Sequence, residues 1–103
     1  MKKFIRDGKV GVVISLGYGA GWSTCNYNFK DELCMDCNIV EAVLNDDLEK
    51  VKDYVEKTYP DADTDGYNQL SVEWIPEGVT FQINDDCGSE TLSIIDPRSC
   101  MVA

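Results

Sequence analysis

Hydrophobic and polar residues first alternate just after a predicted tight turn. Asp7-Gly8 supplies the two positive φ angles of a type I′ turn, so it predicts a hairpin between Phe4–Arg6 and a strand over Lys9–Leu16. In that strand Val10, Val12, Ile14 and Leu16 share one face, and Gly11, Val13 and Ser15 share the other. Both faces are largely apolar, which is typical of a central strand covered on both sides.

Helical spacing replaces this alternation in the middle of the chain. Asp31–Met35 predicts one or two helical turns. Asn38 is then expected to cap a short helix over Ile39–Leu44, with Glu41 at the third helical position as in a capping box.

A second helix is predicted directly after the first. Asn45 is expected to end the first helix in a left-handed conformation, and Asp46 is expected to cap a helix over Asp47–Tyr59 that Pro60 stops. Its apolar stripe is Leu48, Val51, Tyr54 and Val55. Together the two helices predict a helical hairpin with one apolar side.

Alternation returns after the acidic loop 61–68 and predicts three strands joined as a meander: Leu70–Trp74, Val79–Ile83 and Thr91–Ile95. Two strands, a helical hairpin and three strands predict one α+β domain over residues 1–103. We expect two layers, with a mostly antiparallel sheet of four or five strands and the hairpin on one face. If the other face of the sheet is uncovered, a homo-oligomer would cover it.

Charge is distributed unevenly along the chain. The formal net charge is −10, yet residues 1–30 carry +4 and residues 31–103 carry −14. A broad basic face is missing, so nucleic acid is not an expected partner. The longest apolar run, Val10–Leu16, is too short to span a membrane, and the charged start does not resemble a signal peptide. These features predict a cytoplasmic protein with no membrane partner.

Support for catalysis or for a metal is thin. The chain has no histidine, and Ser23 and Thr24 lack an evident base, so we expect no enzyme activity. Cys34 and Cys37 have the spacing of a zinc knuckle, but no second such pair follows. A site made with two of the other three cysteines stays open as an alternative. We expect reduced thiols, no metal and no cofactor.

The segment Gly17-Tyr18-Gly19-Ala20-Gly21-Trp22-Ser23-Thr24 is the strongest candidate for function. Consecutive backbone N–H groups in a glycine-rich turn can cradle an anion, and the segment lies in the only basic part of the chain. Its aromatic rings could stack on a base. The alternative is a strained turn whose aromatic residues belong to the core. The candidate ligand-binding residues are Arg6, Gly17, Tyr18, Gly19, Ala20, Gly21, Trp22, Ser23, Thr24 and Asn26.

Several of these residues also carry a resemblance to a group of proteins. Arg6-Asp7-Gly8-Lys9-Val10, followed by Gly17–Thr24, resembles small uncharacterised proteins of bacteriophages and prophages. Segments similar to Ile39–Leu44 and to 72–78 recur in them, and an aromatic residue often stands where this chain has Cys25. The resemblance implies no established activity. It implies a phage accessory function, a class that includes small proteins that sequester nucleotide-derived immune signals.

Two functions follow as hypotheses. The first is a non-enzymatic protein that sequesters a small anionic, nucleotide-like molecule through the glycine-rich segment, with Arg6 or Lys9 reaching the same end of the sheet. The second is an acidic module that inhibits a host protein through the helical hairpin and the loop Asp61–Asp65.

Overall fold

The computed structural model describes residues 1–17, 19, 21–94 and 101–103. The helices are α1 (Lys30–Met35), α2 (Cys37–Leu44) and α3 (Leu48–Thr58), and the strands are β1 (Ile5–Arg6), β2 (Lys9–Ser15), β3 (Leu70–Pro76), β4 (Thr80–Asp86), β5 (Ser89–Ile94) and β6 (Met101–Val102). Short 3₁₀ helices cover Ser23–Cys25, Tyr27–Phe29 and Tyr67–Gln69. Tyr18, Ala20, Ile95 and Cys100, which the predictions above involve, lie outside the described residues.

The α+β class and the antiparallel pairing are confirmed, and the strands divide into two sheets. One sheet has the order β1-β2-β3 and the other has the order β5-β4-β6. Of the predicted meander, the hairpin of β4 and β5 is confirmed, but β3 lies in the other sheet, where it pairs with β2 along its whole length, from Lys9↔Pro76 to Ser15↔Leu70. The turn after β3 therefore carries the chain from the first sheet to the second.

The strand β2 is central, as its sequence predicts. Val10, Val12 and Ile14 face a core shared with Phe81 and Ile83 of the second sheet. On the opposite face, Val13 of β2 and partly buried residues of β3 pack against α2 and α3. The buried side chains of these helices include Ile39, Val40, Val51 and Val55. The second sheet and the helices thus cover the two faces of the first sheet. The reason given above for self-association, an uncovered face, therefore does not apply to the first sheet.

Gly11 brings α2 close to the first sheet. A Cβ atom at Gly11 would lie 2.8 Å from Val40 Cγ1 and 3.3 Å from the Trp74 ring. The space left by the missing side chain lets the indole of Trp74 lie across β2 toward Phe4, with the ring centres 5.9 Å apart.

Both helix caps differ from the prediction. Asp36, not Asn38, caps α2, and its side chain accepts the Asn38 N–H. Asp47, not Asp46, caps α3. The left-handed residue between the two helices is Asp46, with φ of 55°, while Asn45 has φ of −84°. Aspartates occupy adjacent candidate positions here, so the sequence pattern alone does not separate one register from the next.

Two tight turns set the strand ends. Asp7 and Gly8 have φ of 54° and 75°, which confirms the predicted turn. Cys87 and Gly88 repeat this pattern with φ of 53° and 92°. The strand β5 therefore begins at Ser89, two residues before the predicted start. None of the described helices is long and apolar enough to cross a membrane.

Candidate functional site

Three hydrogen-bond donors at the end of the glycine-rich segment, from Trp22 and Thr24, are bound to a carboxylate of the chain itself. Glu90 is 1% exposed and points from β5 into this segment. Its Oε2 atom accepts the backbone N–H of Trp22 at 2.8 Å, the backbone N–H of Thr24 at 3.1 Å and the Thr24 hydroxyl at 2.6 Å. Its Oε1 atom accepts the backbone N–H of Ser15 at 2.9 Å. Trp22 and Thr24 of the segment thus donate to a carboxylate of the chain itself.

Because β1 is only two residues long, it does not extend to Ser15, and the Ser15 N–H donates to Glu90 instead. Gly11 donates its N–H to Phe4 on the β1 side, and the direction of backbone groups alternates along a strand. The N–H of Ser15 therefore points to the same side, where β1 has no residue left to pair with it. Glu90 occupies that position and so joins the two sheets.

Trp22 belongs to the core of this conformation. Its side chain is 0% exposed, and its indole N–H donates to the carbonyl oxygen of Leu33 at 2.7 Å. The ring is therefore not placed to stack on a ligand from solvent. For Trp22, this arrangement matches the alternative interpretation, in which the aromatic residues of the segment belong to the core.

Asn26 links the glycine-rich segment to the acidic loop 61–68 through hydrogen bonds with Asp63. Its amide group donates to the carbonyl oxygens of Trp22 and Asp63, both at 2.9 Å, and its side-chain oxygen accepts the Asp63 N–H at 2.6 Å. Asn26 is 6% exposed, so these contacts occupy a side chain that was expected to contact a ligand.

The other candidate residues of the segment pack against neighbouring chain. A Cβ at Gly17 would collide with the Gln69 side chain, and one at Gly21 would lie 2.7 Å from Thr24 Oγ1. Gly19 has φ of 109° and donates its N–H to the carbonyl oxygen of Cys87 at 2.6 Å. Ser23 is 1% exposed. The described part of the segment is therefore a closed turn around Glu90.

Arg6 does not share a site with this segment. It precedes the turn at the beginning of β2, whereas the glycine-rich segment follows the end of β2. Seven strand residues separate them, which corresponds to roughly 20 Å. The expectation that Arg6 or Lys9 reaches the same end of the sheet is contradicted by this topology.

Arg6 and Lys9 form a different cleft with Trp74. They lie directly opposite each other across the hairpin, so their side chains project from the same face. The Arg6 guanidinium carbon lies 5.3 Å from the centre of the Phe4 ring and 5.1 Å from that of Trp74. Arg6, Asp7, Lys9 and Trp74 line an open cavity of about 240 Å³.

The electrostatics of this cleft favour a bound anion. Like charges directly opposite on paired strands repel each other, and Asp7 offsets only part of that charge. Arg6 and Lys9 are both exposed, and Trp74 is half-buried. Stacking on two rings holds the guanidinium in place while its N–H edges stay open to a ligand.

Among the cysteines that the structure describes, Cys34 is buried, Cys37 is partly buried, and Cys25 and Cys87 are exposed. Burial, with the nearby charges of Asp31 and Glu90, raises the pKa of the Cys34 thiol, which lies in the core beside Met101. No group of three or more cysteine and acidic side chains among the described residues is placed to hold a metal ion.

Sequence reasoning missed Glu90 and Trp74. The predicted strand starts at Thr91 and so excludes Glu90, but once β5 begins at Ser89, alternation places Glu90 on the same face as Leu92. A carboxylate at a core-facing position requires hydrogen-bond donors. The alternation of this strand therefore could have indicated that Glu90 binds donors inside the fold. Trp74 was assigned to a strand without a role. Comparison of the chain with protein-family models, curated proteins and solved structures found no match.

Proposed function

We propose that this chain is a non-enzymatic protein that binds and sequesters a small anionic, nucleotide-derived molecule in the cleft of Arg6, Lys9 and Trp74. The observation that carries the proposal is the pair of exposed cations beside a half-buried indole. A guanidinium matches two phosphate oxygens, and an ammonium adds a second charge. Trp74 offers apolar surface for a base.

The resemblance to phage proteins supplies the setting for this proposal. An anti-defence protein in the host bacterial cytoplasm would remove an immune signal by binding it, so no turnover is required. An open cavity of about 240 Å³ does not enclose a whole nucleotide, and a second copy of the chain over the cleft would complete the enclosure. The proposal therefore includes a homo-oligomer.

The test is calorimetric titration of the purified protein with a panel of mononucleotides, cyclic dinucleotides and ADP-ribose derivatives. Arg6→Gln and Lys9→Gln should each weaken binding about tenfold or more, since each removes a charged hydrogen bond. Lys50→Gln is the matched control, because it removes the same charge from an exposed position on α3. Its affinity should equal that of the wild type.

Two results would contradict the cleft as the site. One is that no member of the panel binds at millimolar concentration. The other is equal weakening by all three glutamine variants, which would indicate attraction by net charge alone. Thermal unfolding of each variant shows whether its fold is intact.

The second candidate function, an acidic module that inhibits a host protein, is favoured by the surface of α3 and the loop that follows. Eight carboxylates and three lysines lie between Asp46 and Asp65, and all eight carboxylates are exposed. Reversing Asp53 and Glu56 to lysine should slow association with a basic partner several-fold at low salt. In a stopped-flow measurement, association that is unchanged by this reversal and by salt would contradict this function.

A further inference from the structure

The outer edge of β3 has no strand partner among the residues that the structure describes. β3 is the last strand of the order β1-β2-β3, and no described strand pairs with its other side. Most edge strands are short, bent or covered, because unpaired N–H and C=O groups accept any extended chain. The outward backbone groups of β3 are therefore a template for pairing with an extended chain.

The hydrogen bonds at the two ends of β3 show which backbone groups point away from β2. Leu16 donates its N–H to Gln69 at 2.9 Å, and Glu77 donates its N–H to Gly8 at 3.0 Å. Pairs alternate along an antiparallel ladder, so the odd-numbered residues of β3 direct their backbone groups to β2. Leu70, Val72 and Trp74 consequently direct theirs outward.

Glu73 gives this edge a charge preference. Its side chain is exposed near the middle of the strand, and its own backbone groups face β2. A residue added opposite Glu73 would occupy a non-hydrogen-bonded position, where side chains on adjacent strands lie closest. An opposite charge there is favourable, and a like charge is unfavourable.

We propose that the outer edge of β3 binds an extended segment of a partner protein that carries a lysine or arginine opposite Glu73. A second copy of the chain is the less suitable occupant, because each copy has a net charge of −10 and offers a glutamate in the same strand. This partner surface goes beyond the small-molecule cleft, and the two can be tested separately.

The test uses a nine-residue peptide of alternating threonine and valine with one central lysine. Hydrogen exchange of the labelled protein should slow at the amides of Leu70, Val72 and Trp74 when the peptide is added. Amides of Ser71 and Glu73 should not change, because they already pair with β2. A peptide with glutamate in place of the lysine is the matched control and should bind at least threefold more weakly.

Two variants make the proposal falsifiable. Val72→Pro removes one outward N–H while leaving the ladder to β2 intact, so it should abolish peptide binding and leave anion binding in the cleft unchanged. Glu73→Lys should reverse the preference between the two peptides.

Other outcomes would overturn the proposal. One is the absence of slowed exchange at the three outward amides, and another is equal binding of both peptides. Wild-type self-association that Val72→Pro abolishes would also overturn it, because the occupant would then be a second copy.

Discussion

The Glu90 carboxylate occupies the position that the glycine-rich segment would otherwise offer to an external anion. It accepts three backbone N–H groups and one hydroxyl, while Gly21 leaves space for its approach. At this scale the sequence predicted hydrogen-bond donors in this segment, but the backbone donors that bind Glu90 belong to Ser15, Trp22 and Thr24 and not to the glycines. It did not predict the acceptor, since Glu90 is one of nineteen acidic residues and its partners lie more than sixty positions away.

Replacing Glu90 should destabilise the fold in a graded way. Glu90→Ala leaves buried donors without an acceptor, which is expected to lower the free energy of unfolding by about 3 kcal/mol or more. Glu90→Gln retains one acceptor oxygen and should lose less. Urea denaturation of the three proteins at pH 7 measures the difference.

A chemical rescue tests the cause of that loss. If the empty carboxylate position is an anion site, acetate should raise the melting temperature of Glu90→Ala and leave that of the wild type unchanged. A Glu90→Ala protein as stable as the wild type would contradict the role given to this carboxylate.

At the scale of elements, Asp36 holds the helical hairpin together. It caps α2, and its Oδ2 atom accepts the hydroxyl groups of Tyr54 and Tyr59 from α3 and the residue after it, both at 2.7 Å. The sequence predicted both helices and their apolar sides, because helical spacing is a local signal. It did not predict this polar contact, which depends on how the two helices pack.

The Asp36 contact predicts a loss of stability at alkaline pH. Burial, and then hydrogen bonding to Asp36, raises the pKa of Tyr54 and Tyr59 above the ordinary value of 10. Their folded-state pKa values lie above the unfolded ones, so their stabilisation is complete below about pH 10 and is lost as the pH rises through the folded values.

The variant that tests this contact is Tyr54→Phe with Tyr59→Phe. It should lower the free energy of unfolding at pH 7 by about 1–3 kcal/mol and flatten its decline above pH 10. Urea midpoints between pH 7 and 11.5 measure both effects. A wild type and variant that decline in parallel above pH 10 would show that the two hydroxyls do not contribute.

At the scale of the whole molecule, the α+β class was predictable and the arrangement of the strands was not. Alternation identified β2, β3, β4 and β5, and Asp7-Gly8 identified the first hairpin. Alternation says nothing about which strands pair, so β3 was joined to the wrong neighbour. That pairing places Trp74 beside Arg6 and thereby builds a cleft at the opposite end of β2 from the glycine-rich segment.

The two tryptophans of the chain report separately on the two candidate places for a ligand. Trp22 lies in the closed segment around Glu90, and Trp74 lies in the cleft with Arg6 and Lys9. The most direct measurement is therefore a ¹H–¹⁵N spectrum of their indole N–H signals during titration with the nucleotide panel. We expect the Trp74 signal to move and the Trp22 signal, bonded to Leu33, to stay in place. Movement of Trp22 alone, or of neither signal at millimolar ligand, would contradict binding in the cleft.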